Sequence, residues 1–159
     1  MKSTITYIKE ALRIKSGTKI VTGPQYNYHP KYGFELIDLM EKLIKERGNE
    51  GDFNDIDTSE ITDMNYLFQD AFPLFNGDIS GWDVSNVTTM TSMFQECHKF
   101  EGKGLNNWNV SKVTNMENMF ENCLSFNQDI SNWNVSNVKY MDNMFNDCPI
   151  KAKYIPKFK

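Results

Sequence analysis

The words DVSNVTTMTSMFQEC, NVSKVTNMENMFENC and NVSNVKYMDNMFNDC, ending at Cys97, Cys123 and Cys148, are one phrase written three times. A phrase that returns at fixed spacing constrains a fold more than composition does. Each copy must build the same local structure and lie against its neighbour. Read by column, the copies extend to four units. Trp82, Trp108 and Trp133 share a column headed by Ile56, and Thr58, Val84, Val110 and Val135 form the next. Then come Ile61, Val87, Val113 and Val138, followed by Met64, Met90, Met116 and Met141. Leu67, Met93, Met119 and Met144 precede Phe68, Phe94, Phe120 and Phe145, and Ala71, Cys97, Cys123 and Cys148 close the unit. Phe53, Ile79, Leu105 and Ile130 stand three residues ahead of the first column. The Phe68 column steps by 26, 26 and 25 residues. The surplus residues fall in FPLF and EGKG, at Pro and Gly, where loops accept a change of length. The underlying unit is 25 residues.

Two periods share each unit. In ISNWNVSNV, Trp133 and Val135 alternate with Asn134, which is the period of a strand, and Trp and Val favour strands. In VTNMENMFENC, Met116, Met119, Phe120 and Cys123 fall on one face of a helix. Thr114, with Glu117 three residues on, fits a capping box for that helix. Each unit therefore reads as a short strand, a tight bend, about two turns of helix and a polar loop. A lone unit cannot bury its apolar face, whereas stacked units bury it in a continuous core. The expected fold class is an α/β solenoid, a short leucine-rich-repeat stack of about four 25-residue strand-plus-helix coils with a helical N-terminal cap. Its three Trp and four Phe would form two aromatic ladders.

The words DISGWDVSNVT, NWNVSKVTNM and FNQDISNWNVSNV, each followed by M-x-x-M-F, resemble the BspA-like leucine-rich repeat. That family is also described as a domain of unknown function in mycoplasma-type lipoproteins. The resemblance covers residues 53–148. It implies a right-handed leucine-rich solenoid used for binding, commonly at bacterial surfaces. Family members often carry an export signal or lipid anchor and many repeats, and this chain is expected to depart from both habits. Non-exported versions resemble those of bacterial or phage genomes.

The expected domain plan is a helical N-terminal cap at 1–52, repeats at 53–148 and a basic capping tail at 149–159. Residues 1–15 read as an amphipathic helix with Ile5, Ile8 and Leu12 on one face, and TKIVTG as a short strand. KYGFELIDLMEKLIKERG reads as a strong helix with Phe34, Ile37, Met40, Leu43 and Ile44 on its apolar face and Gly48 as its stop. A stack must cover its terminal edges, and the tail's Tyr154, Ile155 and Phe158 suit that task.

Charge is unevenly placed. Residues 1–50 carry nine Lys/Arg against six Asp/Glu, residues 51–148 four against fifteen, and residues 149–159 four Lys with no acid. The acidic middle would repel phosphates, so nucleic acid is not an expected partner. No segment is apolar and long enough for membrane insertion, and the charged residues of MKSTITYIKEALRIKSG break any signal core. The expected location is cytoplasmic, or virion-associated if the chain is phage-encoded. Three cysteines without a CxxC argue against a disulfide framework or a zinc site, and their column reads as small core residues. There is no phosphate-cradling glycine loop, nucleophile elbow or HExxH, and His29 and His98 have no evident catalytic partner. The chain is expected to be no enzyme and to need no metal or cofactor.

What remains is a surface. Asp57, Asp83, Asn109 and Asn134 point outward between ladder residues, flanked by Ser59, Ser85, Ser111 and Ser136. In a leucine-rich stack these line the concave face. They serve there as a contact for a protein partner, as a glycan or cation contact, or as side chains satisfying bends. The expected function is a non-catalytic protein-protein interaction module that binds through this face or the N-terminal cap. The alternatives are a phage or bacterial assembly component or host-factor inhibitor, and an adhesin-like glycan-binding module. The variable letters Glu60, Asn86, Lys112 and Asn137 are the expected seat of specificity.

Overall fold

In the computed structural model, the residues described are 23, 25–69 and 71–158. The amphipathic helix read at 1–15 and most of TKIVTG lie outside them. One α-helix, α1 (Gly33–Arg47), and two short 3₁₀ turns at Leu105–Asn107 and Ala152–Tyr154 are the helical elements among the described residues, with no β-strand. The expected α/β solenoid of strand-plus-helix repeats, and with it the leucine-rich-repeat assignment, is therefore wrong. The coils are built from turns and joined by isolated parallel bridges: Asp63 to Thr89, Thr89 to Asn115, and Asn115 to Tyr140.

The local reason lies in the M-x-x-M-F segment. Met93, Gln95 and Cys97 each donate N–H to the carbonyl three residues back, at 3.3, 3.3 and 3.0 Å. The N–H groups between them turn outward and reach the next coil instead. Met90 donates to Asn115 at 2.9 Å, Ser92 to Glu117 at 2.9 Å, Phe94 to Met119 at 3.0 Å and Glu96 to Glu121 at 3.0 Å. The following coil repeats this, with Met116, Asn118, Phe120 and Asn122 donating to Tyr140, Asp142, Met144 and Asn146. Within this segment every backbone-to-backbone bond between coils runs the same way, N–H toward the C-terminal end of the stack.

Such alternation needs left-handed backbone at intervals of four residues, which a helix cannot contain. Ser92 and Glu96, Asn118 and Asn122, and Asn143 and Asp147 all have φ between 51° and 64°. Asn and Asp enter that region at least cost among residues with a side chain. Consecutive turns also return to the same face about every three residues, so Met90, Met93, Phe94 and Cys97 are all fully buried without a helix. The capping box is absent for the same reason. Thr114 donates its hydroxyl to the Thr88 carbonyl at 3.1 Å, and the Glu117 N–H binds the Asn115 side chain at 2.9 Å.

The core is a pair of phenylalanine columns. Phe68, Phe94, Phe120 and Phe145 stack nearly parallel at 5.3, 5.5 and 5.8 Å between ring centres. Phe75, Phe100 and Phe126 form the second column at 5.8 and 6.3 Å. Within each coil the two rings lie 4.0–4.2 Å apart. The second ladder is thus phenylalanine, not tryptophan. Each indole sits 6.2–6.4 Å from a Phe of the preceding coil. The extra residue of EGKG is accommodated by Gly102 and Gly104 at φ 75° and 79°, where a side chain would collide with Phe126 and Ser80.

At the N-terminal end, Tyr28 bridges in parallel to Ile56, and α1 buries Leu36, Met40, Leu43 and Ile44. Phe34, expected on that face, is 63% exposed and stacks on Tyr32 instead. The buried positions follow Leu36 at steps of four, seven and eight, which leaves Phe34 on the far side. Gly48, at φ 80°, donates to the Ile44 carbonyl at 2.8 Å and stops the helix. Arg47 fastens the joint. It binds Asp55 through both terminal nitrogens at 2.7 and 3.0 Å and lies over the Tyr28 and Phe53 rings. The Asp55 carboxyl is held below its usual range, chiefly by this Arg47 bond. At the other end the tail crosses the last coil, where Ile130 N–H donates to the Tyr154 carbonyl at 3.1 Å. Among the described residues no helix is long and apolar enough to cross a membrane.

Candidate interaction surface

The eight outward residues singled out in the sequence lie together on one edge of the stack, and each pair closes its own bend. The Asp57 carboxylate accepts from the Ser59 N–H at 3.1 Å and hydroxyl at 2.7 Å. Asp83 accepts the Ser85 N–H at 2.9 Å, Asn109 that of Ser111 at 3.2 Å, and Asn134 that of Ser136 at 3.2 Å. These are Asx turns, which explains the Asp/Asn-then-Ser spelling without any ligand. Without strands among the described residues there is no concave sheet face there for them to line. Burial pushes the Asp57 carboxyl up, but the two bonds from Ser59 and the His29 ring 3.3 Å away hold it below its usual range.

The variable letters staple coils. Asn86 donates to the Ser59 carbonyl at 2.9 Å, Asn137 to that of Ser111 at 2.7 Å, and Lys112 to the Asn86 side chain at 2.6 Å. A second polar file runs from Gln69 to Gln95 at 2.8 Å and on to Glu121 at 2.7 Å.

The thiols are core groups. The Cys123 Sγ lies 2.9 Å from the Phe94 carbonyl, and burial pushes its pKa up, away from the reactive thiolate. Cys148 is half-buried and shifted the same way by the same cause. Ala71, placed in the same column, is exposed.

Sequence reasoning treated the loops after each unit only as places for length change. They form a groove of about 590 Å³ lined by Asn49, Glu50, Leu74, Asn76, Lys99, Glu101 and Ser125. The loops are tied to one another. Asn76 N–H donates to the Asn49 carbonyl at 2.8 Å, Glu101 N–H to the Asn76 side chain at 3.0 Å, and Ser125 Oγ to the His98 carbonyl at 2.8 Å. Leu74 and, beside Ser125, Leu124 are 55% and 56% exposed. The signal was present in the sequence as the one stretch where the copies disagree in both length and letters.

The model of a family described as "Mycoplasma protein of unknown function, DUF285" matches residues 38–158. No curated protein and no solved structure matches the chain.

Proposed function

The chain belongs to the Mycoplasma family DUF285, whose function is unknown, and from that premise we propose that it is a non-catalytic module that binds a protein partner through the loop groove. The words DISGWDVSNVT and NWNVSKVTNM support a finer kinship with the BspA-like proteins, at the level of sequence alone. One observation carries the functional reading. The recurring letters build the ring columns and close the Asx turns, while Leu74, Lys99 and Ser125, which stand at one position of three successive coils and share no letter, all line the groove. Exposed Leu74 there, beside Lys99 and Glu101, combines apolar area with both signs of charge, and exposed Leu124 adjoins the groove next to Ser125 on the chain. Protein interfaces likewise combine apolar and polar area.

The groove is the contact, not the Asx edge, so two variants separate the readings. Affinity capture from the native cell should recover the same protein with wild type and with Asn134→Ser, and lose it with Leu74→Asp/Lys99→Glu. Retention of that protein by the groove variant overturns the assignment of the site. Capture of no protein, together with binding on a glycan array, overturns the protein-binding function.

A further inference from the structure

The two ends of the stack are unlike. At the C-terminal end, the N–H groups of Met141, Asn143, Phe145 and Asp147 occupy the positions that in earlier coils donate to the next coil, and they meet no acceptor among the described residues. Beside them lies a groove of about 390 Å³ lined by Met141, Met144, Phe145, Ile155 and Phe158. Lys151, Lys153 and Lys157 flank the lining residues Ile155 and Phe158 along the chain, and all three are exposed. This end is apolar, rich in donors and basic.

The N-terminal end is its complement. The carbonyls of Asp63, Asn65 and Leu67 stand where later coils accept, and among the described residues they receive no N–H. Gly33 packs directly against the Asp63 carbonyl, which puts Tyr32 and Phe34 beside this row. Tyr32, Phe34 and Tyr66 are 59%, 63% and 54% exposed, and Asp63, Asp38 and Glu41 nearby on the chain are exposed too. This end offers aromatic rings, acceptors and the carboxylates of Asp63, Asp38 and Glu41, with Lys31, Lys42 and Lys45 of the same segment exposed as well.

We propose that the C-terminal groove receives the N-terminal end of a second copy of this chain, with the stacked Tyr32–Phe34 pair seated against Phe145, Ile155 and Phe158. Lysines 151, 153 and 157 face Asp38, Glu41 and Asp63 of the neighbour. Such a contact is heterologous, so it adds copies head to tail without closing by symmetry. It does not depend on the loop groove, which stays on the side of the stack. The charge component is screened by salt, and the apolar component is not.

Sedimentation of the full chain across a wide concentration range tests this. The weight-average mass should rise from the 18.5 kDa of one chain to values beyond two chains. Phe34→Glu blocks one end and Phe158→Glu the other, so each variant alone should stay monomeric. An equimolar mixture should form dimers and stop there. Lys151→Glu/Lys153→Glu leaves the apolar core untouched and should weaken assembly at least tenfold, which guards against misfolding of the Phe158 variant. A wild type that is monomeric at every concentration overturns the proposal. So does a wild-type assembly that stops at two, or a mixture of the two blocked variants that stays monomeric.

Discussion

The indole N–H of Trp82 donates to the backbone carbonyl of Phe53 across 3.0 Å, one coil back in the stack. Trp108 repeats the bond to Ile79 at 3.4 Å and Trp133 to Leu105 at 2.8 Å. A tryptophan buried in an apolar core must place its one donor somewhere, and here the acceptor is the column that opens each unit.

Trp108→Ala should therefore remove both a large buried side chain and the partner of a buried carbonyl. The expected loss is about 3–5 kcal/mol, read by urea or thermal unfolding. Trp108→Phe keeps most of the volume and should cost clearly less. Equal costs for the two would contradict the packing described.

Left-handed positions carry the next expectation. Asn118→Ala should destabilise by roughly 1 kcal/mol, because alanine has no polar group to ease φ of 55°. Tyr66→Asn should stabilise by a similar amount, since a ring-bearing exposed residue now sits at φ 61°. A helical segment would give the opposite order at Asn118, alanine being the better helix former.

These positions also show how much of the fold was legible. The columns were legible because burial depends on spacing, and Met90, Met93, Phe94 and Cys97 are buried as their spacing requires. The backbone beneath them was not, because a helix and a run of turns place apolar residues at the same intervals of three and four. Asn118 and Asn122 were the discriminating letters, since asparagine is a poor helix residue and a good left-handed one. The Asx turns were foreseen only as an alternative to partner contact at Asp57, Asp83, Asn109 and Asn134. The loop groove was invisible because its residues come from different units and meet only when the stack forms.

Stability should fall on acidification. The Ser80 N–H, at 3.0 Å, and hydroxyl, at 2.7 Å, hold the Asp78 carboxyl below its ordinary 3.8, and Ser131 does the same for Asp129. A depressed folded pKa means the unfolded chain binds more protons, so this stability is present above about pH 4 and is lost as pH falls through the folded value. Asp78→Asn keeps an acceptor oxygen without the charge and should flatten the acid limb of an unfolding-midpoint profile. An unchanged limb would show that these carboxylates do not couple to folding.

Thiol chemistry should follow depth. Cys148, half-buried in the last coil, should be alkylated under native conditions well before Cys123, which should react only on unfolding. Peptide mapping after timed iodoacetamide exposure reads the order, and simultaneous labelling would mean that the last two coils open together.

The bonds from Met90, Ser92, Phe94 and Glu96 to the next coil lie along the axis of the stack. A pull on the two ends would load them lengthwise, coil by coil, rather than shear them all at once. Under tension the molecule would pay out in steps, each freeing one 25-residue unit, or about 80–90 Å of extended chain. It would behave as a short ratcheted spring whose click length is written in the repeat.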